Sequence, residues 1–189
     1  MKQAKRMILA ITGATGMIYT LSFLEILRSQ NITVHGVISD AGRKVMKLET
    51  GLEPDDLDGI ERWFAIDEFT APIASGSSRY DAMVILPCTV GSMGAIAHGF
   101  SGNLIHRAAD VTLKEGRPLL LAVRETPLNR THLQNMLMLH DAGATIFPPM
   151  PSFYHKPTTI EELAAQFAGR LCDHLGISAP GQKRWGTDG

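Results

Sequence analysis

Short apolar runs alternate along the chain with longer stretches whose apolar positions recur every three or four residues. The short runs are 7–11, 33–38, 81–86, 119–123 and 144–147. Each is apolar without a polar face, the mark of a strand buried on both sides. The longer stretches predict helices at 17–29, near 41–49, at 104–115, at 132–142 and from 158 to about 175. In the first of these, Leu21, Leu24 and Leu27 follow one another at three-residue spacing with Phe23 beside them. Thr158 stands three residues before Glu161, which resembles a capping box opening the last helix. Buried strands separated by helices predict an α/β fold with a parallel sheet covered on both faces. In such sheets ligands bind at the carboxyl ends of the strands.

Composition narrows this further. The 189 residues suit a single domain, 1–189, with 176–189 as a polar C-terminal tail. Residues 51–80 form the least regular stretch. The formal charge of −1 excludes a generic polybasic nucleic-acid binder but leaves room for a small anionic ligand in a basic pocket. Two cysteines, Cys88 and Cys172, are too few for a secreted disulfide framework or a metal cluster and point to a cytoplasmic setting. Lys2, Lys5 and Arg6 ahead of 7–11 have the outline of a signal peptide, but the apolar run stops at Thr12-Gly13. No run approaches the roughly 18 apolar residues of a membrane span.

The candidate chemistry lies where the strands end. The first strand runs into Thr12-Gly13-Ala14-Thr15-Gly16 and then straight into a helix. Such a turn offers backbone N–H groups to a phosphate, or is simply a tight connection. It lacks the full glycine spacing of a dinucleotide site, which weakens Asp40 as a ribose-binding acid. With Ser39 at the next strand end, a phosphate or flavin cradle is favoured. The 81–86 strand ends in Pro87-Cys88-Thr89-Val90-Gly91-Ser92, small hydroxylated residues that either wrap phosphate oxygens or form a helix cap at Thr89. Cys88 reads as a small buried thiol rather than a nucleophile. Arg124-Glu125 follows the fourth run: Arg124 suits an anion or a flavin edge and Glu125 proton transfer, unless the two are a surface salt bridge. Arg107 and Lys114 lie seven residues apart on one helix face, and Tyr154 and Arg170 add a hydroxyl and a guanidinium. Taken one at a time, each of these reads as an ordinary surface residue.

Together the segments resemble the flavin prenyltransferase (UbiX-like) family. The resemblance is carried by the Thr12–Gly16 turn, Ile38-Ser39, Leu48-Glu49-Thr50, Ala74-Ser75-Gly76-Ser77-Ser78 and Met83-Val84-Ile85-Leu86-Pro87-Cys88. It continues through Asn103-Leu104-Ile105-His106-Arg107-Ala108-Ala109-Asp110, Arg124-Glu125-Thr126-Pro127 and Pro151-Ser152-Phe153-Tyr154-His155. It is colinear from about residue 7 to Trp185, and the full series is highly specific. It implies a flavodoxin-like, Rossmann-type three-layer sandwich binding FMN between protomers of a homo-oligomer, typically a dodecamer. It further implies transfer of a dimethylallyl group from dimethylallyl phosphate to reduced FMN without a metal. Prenylated FMN would then serve a UbiD-type decarboxylase.

By motif, the resemblance assigns Gly13, Ala14, Thr15, Ser39, Thr89, Val90, Gly91, Ser92 and Arg124 to FMN. Ser75, Arg107, Lys114, Tyr154 and Arg170 would bind the dimethylallyl phosphate, with Trp185 lining the prenyl pocket. Thr15, Glu49, Lys114 and Glu125 would be the catalytic set. Three positions depart from the common pattern: Thr15 where Ser is usual, Gly91 where many members carry Lys, and Asp40 where Lys is common. Two other readings fit a flavin-binding α/β chain. A flavin-dependent decarboxylase of cysteine-like substrates needs a catalytic His after the first helix, where only His35 is present, inside a strand. A non-catalytic FMN carrier would usually be strongly acidic, unlike this chain.

Overall fold

In the computed structural model, which describes residues 6–182 and 184–186, the apolar runs become strands of one parallel sheet. The strands are β1 (Arg6–Ile11), β2 (Thr33–Ile38), β3 (Arg62–Phe64), β4 (Ala82–Cys88), β5 (Leu119–Val123) and β6 (Thr145–Ile146), in the order β3-β2-β1-β4-β5-β6. The helices are α1 (Met17–Ser29), α2 (Asp40–Thr50), α3 (Val90–Ala97), α4 (Leu104–Lys114), α5 (Arg130–Asp141) and α6 (Ile160–His174).

The alternation of side chains along the strands divides the interior into two cores. Met7, Leu9 and Ile11 of β1 join Val84 and Leu86 of β4 against α1 and α6, while Ile8, Ala10, Met83 and Ile85 face α3 and α4. Burial on both faces is why these strands carry no polar alternation, and it makes the three-layer sandwich. The order, with β1 flanked by β2 on one side and β4 on the other, is flavodoxin-like with one added edge strand.

That added strand, β3, was not expected. It is three residues long, pairs only with β2, and begins at exposed Arg62, so it leaves no apolar run in the sequence. The last helix also starts one residue later than the Thr158–Glu161 pairing indicates. Thr159 is the N-cap, its hydroxyl accepting from the N–H of Glu162 at 3.1 Å, while the Glu162 carboxylate accepts from the Thr158 N–H at 2.6 Å. Two adjacent threonines and two adjacent glutamates make both registers equivalent locally. The observed one turns Ala164, Phe167, Ala168 and Leu171 inward. The tail beyond Gly176 is anchored at first, with Ile177 and Ala179 buried in the α1–α6 core. Lys2 and Lys5 lie outside the described residues. Among those described, no helix is long and apolar enough to cross a membrane.

Candidate functional site

β4 ends irregularly. Its pairing with β5 shifts between Ile85 and Cys88, and Pro87 has no N–H to give the ladder. The shift turns Cys88 onto the same face as Ile85 and leaves carbonyls that need donors. Buried Thr12 supplies one: its hydroxyl donates to the Pro87 carbonyl at 2.9 Å and accepts from the Thr89 N–H at 2.8 Å. Thr20 of α1 donates to the Leu86 carbonyl at 2.9 Å. Thr12 therefore staples the ends of β1 and β4, the two strands on either side of the point where the strand order reverses. Ligands of open α/β sheets bind outside such a point. Thr12 belongs to the turn motif at the end of β1, but nothing in the sequence marks it for this role.

Two helices start beside this crevice, and they differ. At α1, Gly16 occupies the left-handed region (φ 116) as the N-cap. Its N–H donates to Glu49 at 3.0 Å and that of Met17 at 2.9 Å, with the Thr15 hydroxyl as a third donor. Partial burial, the largest influence, raises the Glu49 pKa. The three donors and the positive charge of Arg124 outweigh it and hold the carboxyl below its usual range. The expectation that this helix start offers unpaired N–H groups to a phosphate is thus corrected: a carboxylate from α2 already takes them. Gly13 serves packing here, because a Cβ on it would lie 2.4 Å from the Cβ of Ala41.

At α3 the start is open. Thr89 is the N-cap, its hydroxyl accepting from the Ser92 N–H at 3.2 Å and donating to the Ser92 hydroxyl at 3.0 Å. Among the described residues the N–H groups of Val90 and Gly91 have no hydrogen-bond acceptor, and nothing lies within 4 Å of a Cβ built on Gly91. Unpaired N–H groups at a helix start are a ready anion site. Exposed Arg124 follows β5 beside it, its own N–H bonded to the Cys88 carbonyl at 3.0 Å. Hydroxyls, open amides and a guanidinium fit the phosphate of a flavin mononucleotide. Ser39 caps α2, its hydroxyl accepting from the Gly42 N–H at 3.0 Å, and Asp40 opens the first turn of the same helix. Glu125 is exposed and accepts from the Thr126 N–H at 3.0 Å. Arg124 and Glu125 form no salt bridge among the described residues, so the surface-pair reading does not hold.

Ser75, Arg107 and Lys114 come together elsewhere. Arg107 donates to the Ala74 carbonyl at 3.1 Å and pairs with Asp110, and Lys114 pairs with Glu115. The Ser75 hydroxyl meets that of Ser77 at 2.9 Å. This loop leads into the amino end of β4, whereas the crevice lies at the carboxyl end. Seven strand residues separate them, about 20 Å at the usual rise per residue. The loop does not fold back over the crevice of its own chain. A third group sits at the C-terminal side: Tyr154 and Arg170 line a cavity of 160 Å³ with Phe147 and Phe167. Tyr154 meets the Trp185 ring edge-on at 5.3 Å. Trp185 is 80% exposed and Tyr154 49%, so the aromatic enclosure is not closed within one chain. A larger cavity, 440 Å³ between α1, α6 and the tail, touches none of the candidate site residues.

Neither Cys88 nor His35 is placed for catalysis. Cys88 is fully buried, and burial pushes its thiol up to about 12, which leaves no thiolate for nucleophilic attack. His35 is 4% exposed in β2 with Nδ1 2.7 Å from the Tyr80 hydroxyl, and burial lowers its pKa. It is a core residue. No group of three or more His, Cys, Asp or Glu side chains converges as metal ligands would among the described residues.

Comparison with known proteins gives one answer. The Flavoprotein family matches residues 1–169. A flavin prenyltransferase UbiX of Methanothermobacter thermautotrophicus is 46% identical over 186 residues, covering 98% of this chain and 97% of the relative. The structure of AnUbiX (PadA1), solved in complex with FMN and dimethylallyl pyrophosphate, is 41% identical with a TM-score of 0.94, covering 96% of this chain and 97% of that one. A dodecameric FMN-dependent Ubix-like decarboxylase of Escherichia coli O157:H7 is 37% identical with a TM-score of 0.92, over 95% and 98% of the two chains. The turn at Thr12, the β4 end and the separate basic loop therefore stand on a shared fold, and the chain belongs to the Flavoprotein family and, within it, to the flavin prenyltransferases of the UbiX type.

Proposed function

We propose that the chain transfers a dimethylallyl group from dimethylallyl phosphate, or the corresponding diphosphate, to reduced FMN. The observation that carries this reading is a pair of differently built anion surfaces on one fold. The open start of α3 with Arg124 suits the cofactor phosphate, and the Ser75–Arg107–Lys114 group suits the phosphate of a second substrate. A flavin carrier needs only the first. Because the two surfaces lie about one strand length apart, the second serves a crevice on a neighbouring subunit. Exposed apolar side chains agree with burial between copies, among them Leu48 beside Glu49 (85% exposed), Phe153 next to Tyr154 in the chain, and Met150, which lines the cavity of Tyr154 and Arg170. A dodecamer of single-domain subunits is the assembly we propose.

The residues divide the work as follows. Gly13, Ala14, Thr15, Ser39, Thr89, Val90, Gly91, Ser92 and Arg124 would hold FMN, whose reduced ring, when bound, supplies the atoms that accept the prenyl carbons. Arg107, Lys114 and Arg170 neutralise the charge that grows on the departing phosphate, while Ser75 and Tyr154 donate hydroxyl hydrogen bonds to it. Trp185 and Tyr154 keep water from the allylic cation and face it with π-electron density. Glu49 is ionised at neutral pH and accepts the Thr15 hydroxyl proton in a hydrogen bond, so this pair holds a proton rather than releasing one. Glu125, exposed beside Arg124, or the released phosphate would take up the proton displaced from the flavin ring when the second bond, the carbon–carbon one, closes. The product would pass to a UbiD-type decarboxylase in the cytoplasm.

Anaerobic incubation of the protein with reduced FMN and each donor, followed by mass spectrometry of the flavin, tests the reading. Prenylated flavin is expected, and unchanged FMN with both donors rejects the proposal. Lys114→Ala should lower the donor's kcat/KM by on the order of 10²–10³ while leaving FMN affinity intact.

A further inference from the structure

The loop ahead of β4 is held in part by a cation that none of the roles above employs. Arg117, two residues before β5, donates to the carbonyls of Ser78 at 2.9 Å and Gly76 at 2.7 Å. Arg107 takes the carbonyl of Ala74. Alternate carbonyls of the segment 74–78 are thus tied down by two guanidinium groups, and the Ser75 hydroxyl is carried between them. Glu115 joins this frame to the neighbouring ammonium: one oxygen bonds Lys114 Nζ and the other lies 3.8 Å from Arg117. Gly76 makes room for the junction. A Cβ there would lie 2.1 Å from the Glu115 carboxylate oxygen and 2.8 Å from Lys114 Nζ. Of these cations Arg117 is the least exposed, its side chain 20% accessible against 36% for Arg107 and 47% for Lys114.

We propose that Arg117 is a positioning residue for the phosphate-binding loop, fixing Ser75 through the backbone and Lys114 through Glu115, so that both donors are in place before an anion arrives. The loop is rich in serine and glycine and costly to order on its own. A guanidinium can reach two carbonyls at once with a rigid fork, which a lysine ammonium on a flexible stem does less well. Ordering the loop beforehand removes that cost from the binding step. The proposal rests on the function above only for the identity of the anion, an allylic phosphate ester. Arg117 itself touches loop carbonyls, not the reacting atoms.

The test uses the FMN-loaded oligomer and measures calorimetric affinity for inorganic phosphate and for dimethylallyl phosphate, together with donor KM and kcat. Arg117→Ala should weaken both ligands and raise the donor KM tenfold or more, with kcat within threefold and FMN affinity unchanged. Arg117→Lys should recover less than half of the loss on a logarithmic scale. Gly76→Ala keeps Arg117 but displaces the Glu115–Lys114 junction, and should raise KM in the same direction. It decides the matter should Arg117→Ala fail to fold. Unchanged phosphate affinity in a folded Arg117→Ala protein, or in Gly76→Ala, overturns the proposal, as does a fall in kcat at constant KM. If the unmodified protein forms no prenylated flavin yet its phosphate affinity depends on Arg117, the functional reading fails and the positioning role stands.

Discussion

Two helices begin at the same end of the sheet, a few residues beyond the Thr12 staple, and they have opposite fates. The start of α1 is closed by Glu49, whose carboxylate collects the N–H groups of Gly16 and Met17 and the Thr15 hydroxyl. The start of α3 carries only its own Thr89 cap and leaves the first turn open. Both present a positive helix end. What separates them is a side chain from a third helix, α2. The glycine-rich turn that looks most like a phosphate loop is the one already occupied, and the plainer Thr89-Val90-Gly91-Ser92 segment is where an anion can enter.

The contrast can be broken most directly at Gly91. Gly91→Asp places a carboxylate over the open α3 start while leaving α1 untouched. FMN affinity should fall at least ~100-fold, about 2.8 kcal/mol, since each tenfold step is about 1.4 kcal/mol. Flavin fluorescence titration measures this, and affinity within a factor of three would show that the phosphate lies elsewhere. Glu49→Gln probes the other helix. The amide keeps the shape but loses the charge that holds Thr15, so prenylation should slow on the order of 10²-fold, the lower end of what a positioned proton-handling group contributes. FMN affinity should stay within threefold. A larger change in FMN affinity would mean that Glu49 acts on cofactor binding through Thr15 rather than on a proton.

A smaller effect is expected in stability. A lost helix cap costs about 0.5–2 kcal/mol, and solvent around the exposed Glu49 carboxylate keeps the value at the lower end. The pH dependence has a definite sign. A carboxyl whose pKa is lower in the folded state than in the unfolded chain stabilises the fold above the unfolded value, here 4.5, and loses that contribution as pH falls below it. Urea melts should therefore show a gentler acid decline for Glu49→Gln than for the unmodified protein below about pH 4.5. Parallel curves would mean that the carboxyl is not held by the helix start. The least effect is expected at Cys88, fully buried with its thiol near 12. Iodoacetamide at pH 8 should leave it unmodified in the native protein, and rapid labelling would mean that the β4 end opens readily.

Much of the fold could be read from the chain because β1, β2, β4 and β5 are buried on both faces and leave apolar runs, and the half-buried edge strand β6 lies within a short apolar run of its own. β3 escaped because a three-residue edge strand needs only one partner and starts at an exposed arginine. The α6 cap was read one residue early because Thr158-Thr159 and Glu161-Glu162 offer the same chemistry in two registers. The candidate site was legible residue by residue at strand ends and basic helix positions. Its grouping was not: Lys114 and Thr15 belong to opposite ends of β4, a fact that depends on where the loop before that strand is tied. Thr12 went unassigned because a threonine after an apolar run gives no sign that a bulge 75 residues later will leave it a carbonyl.

By itself, the order of apolar runs and small-residue turns determined the layered parallel fold, the strand ends as the place for a ligand, and the family, because these depend on local periodicity and short motifs. Only the tertiary structure decided which helix start is open, which carbonyls hold the basic loop and that this loop and the α3 start lie at opposite ends of β4. Those outcomes depend on contacts between residues distant in sequence, where a single carboxylate or an extra strand residue changes which polar groups remain available.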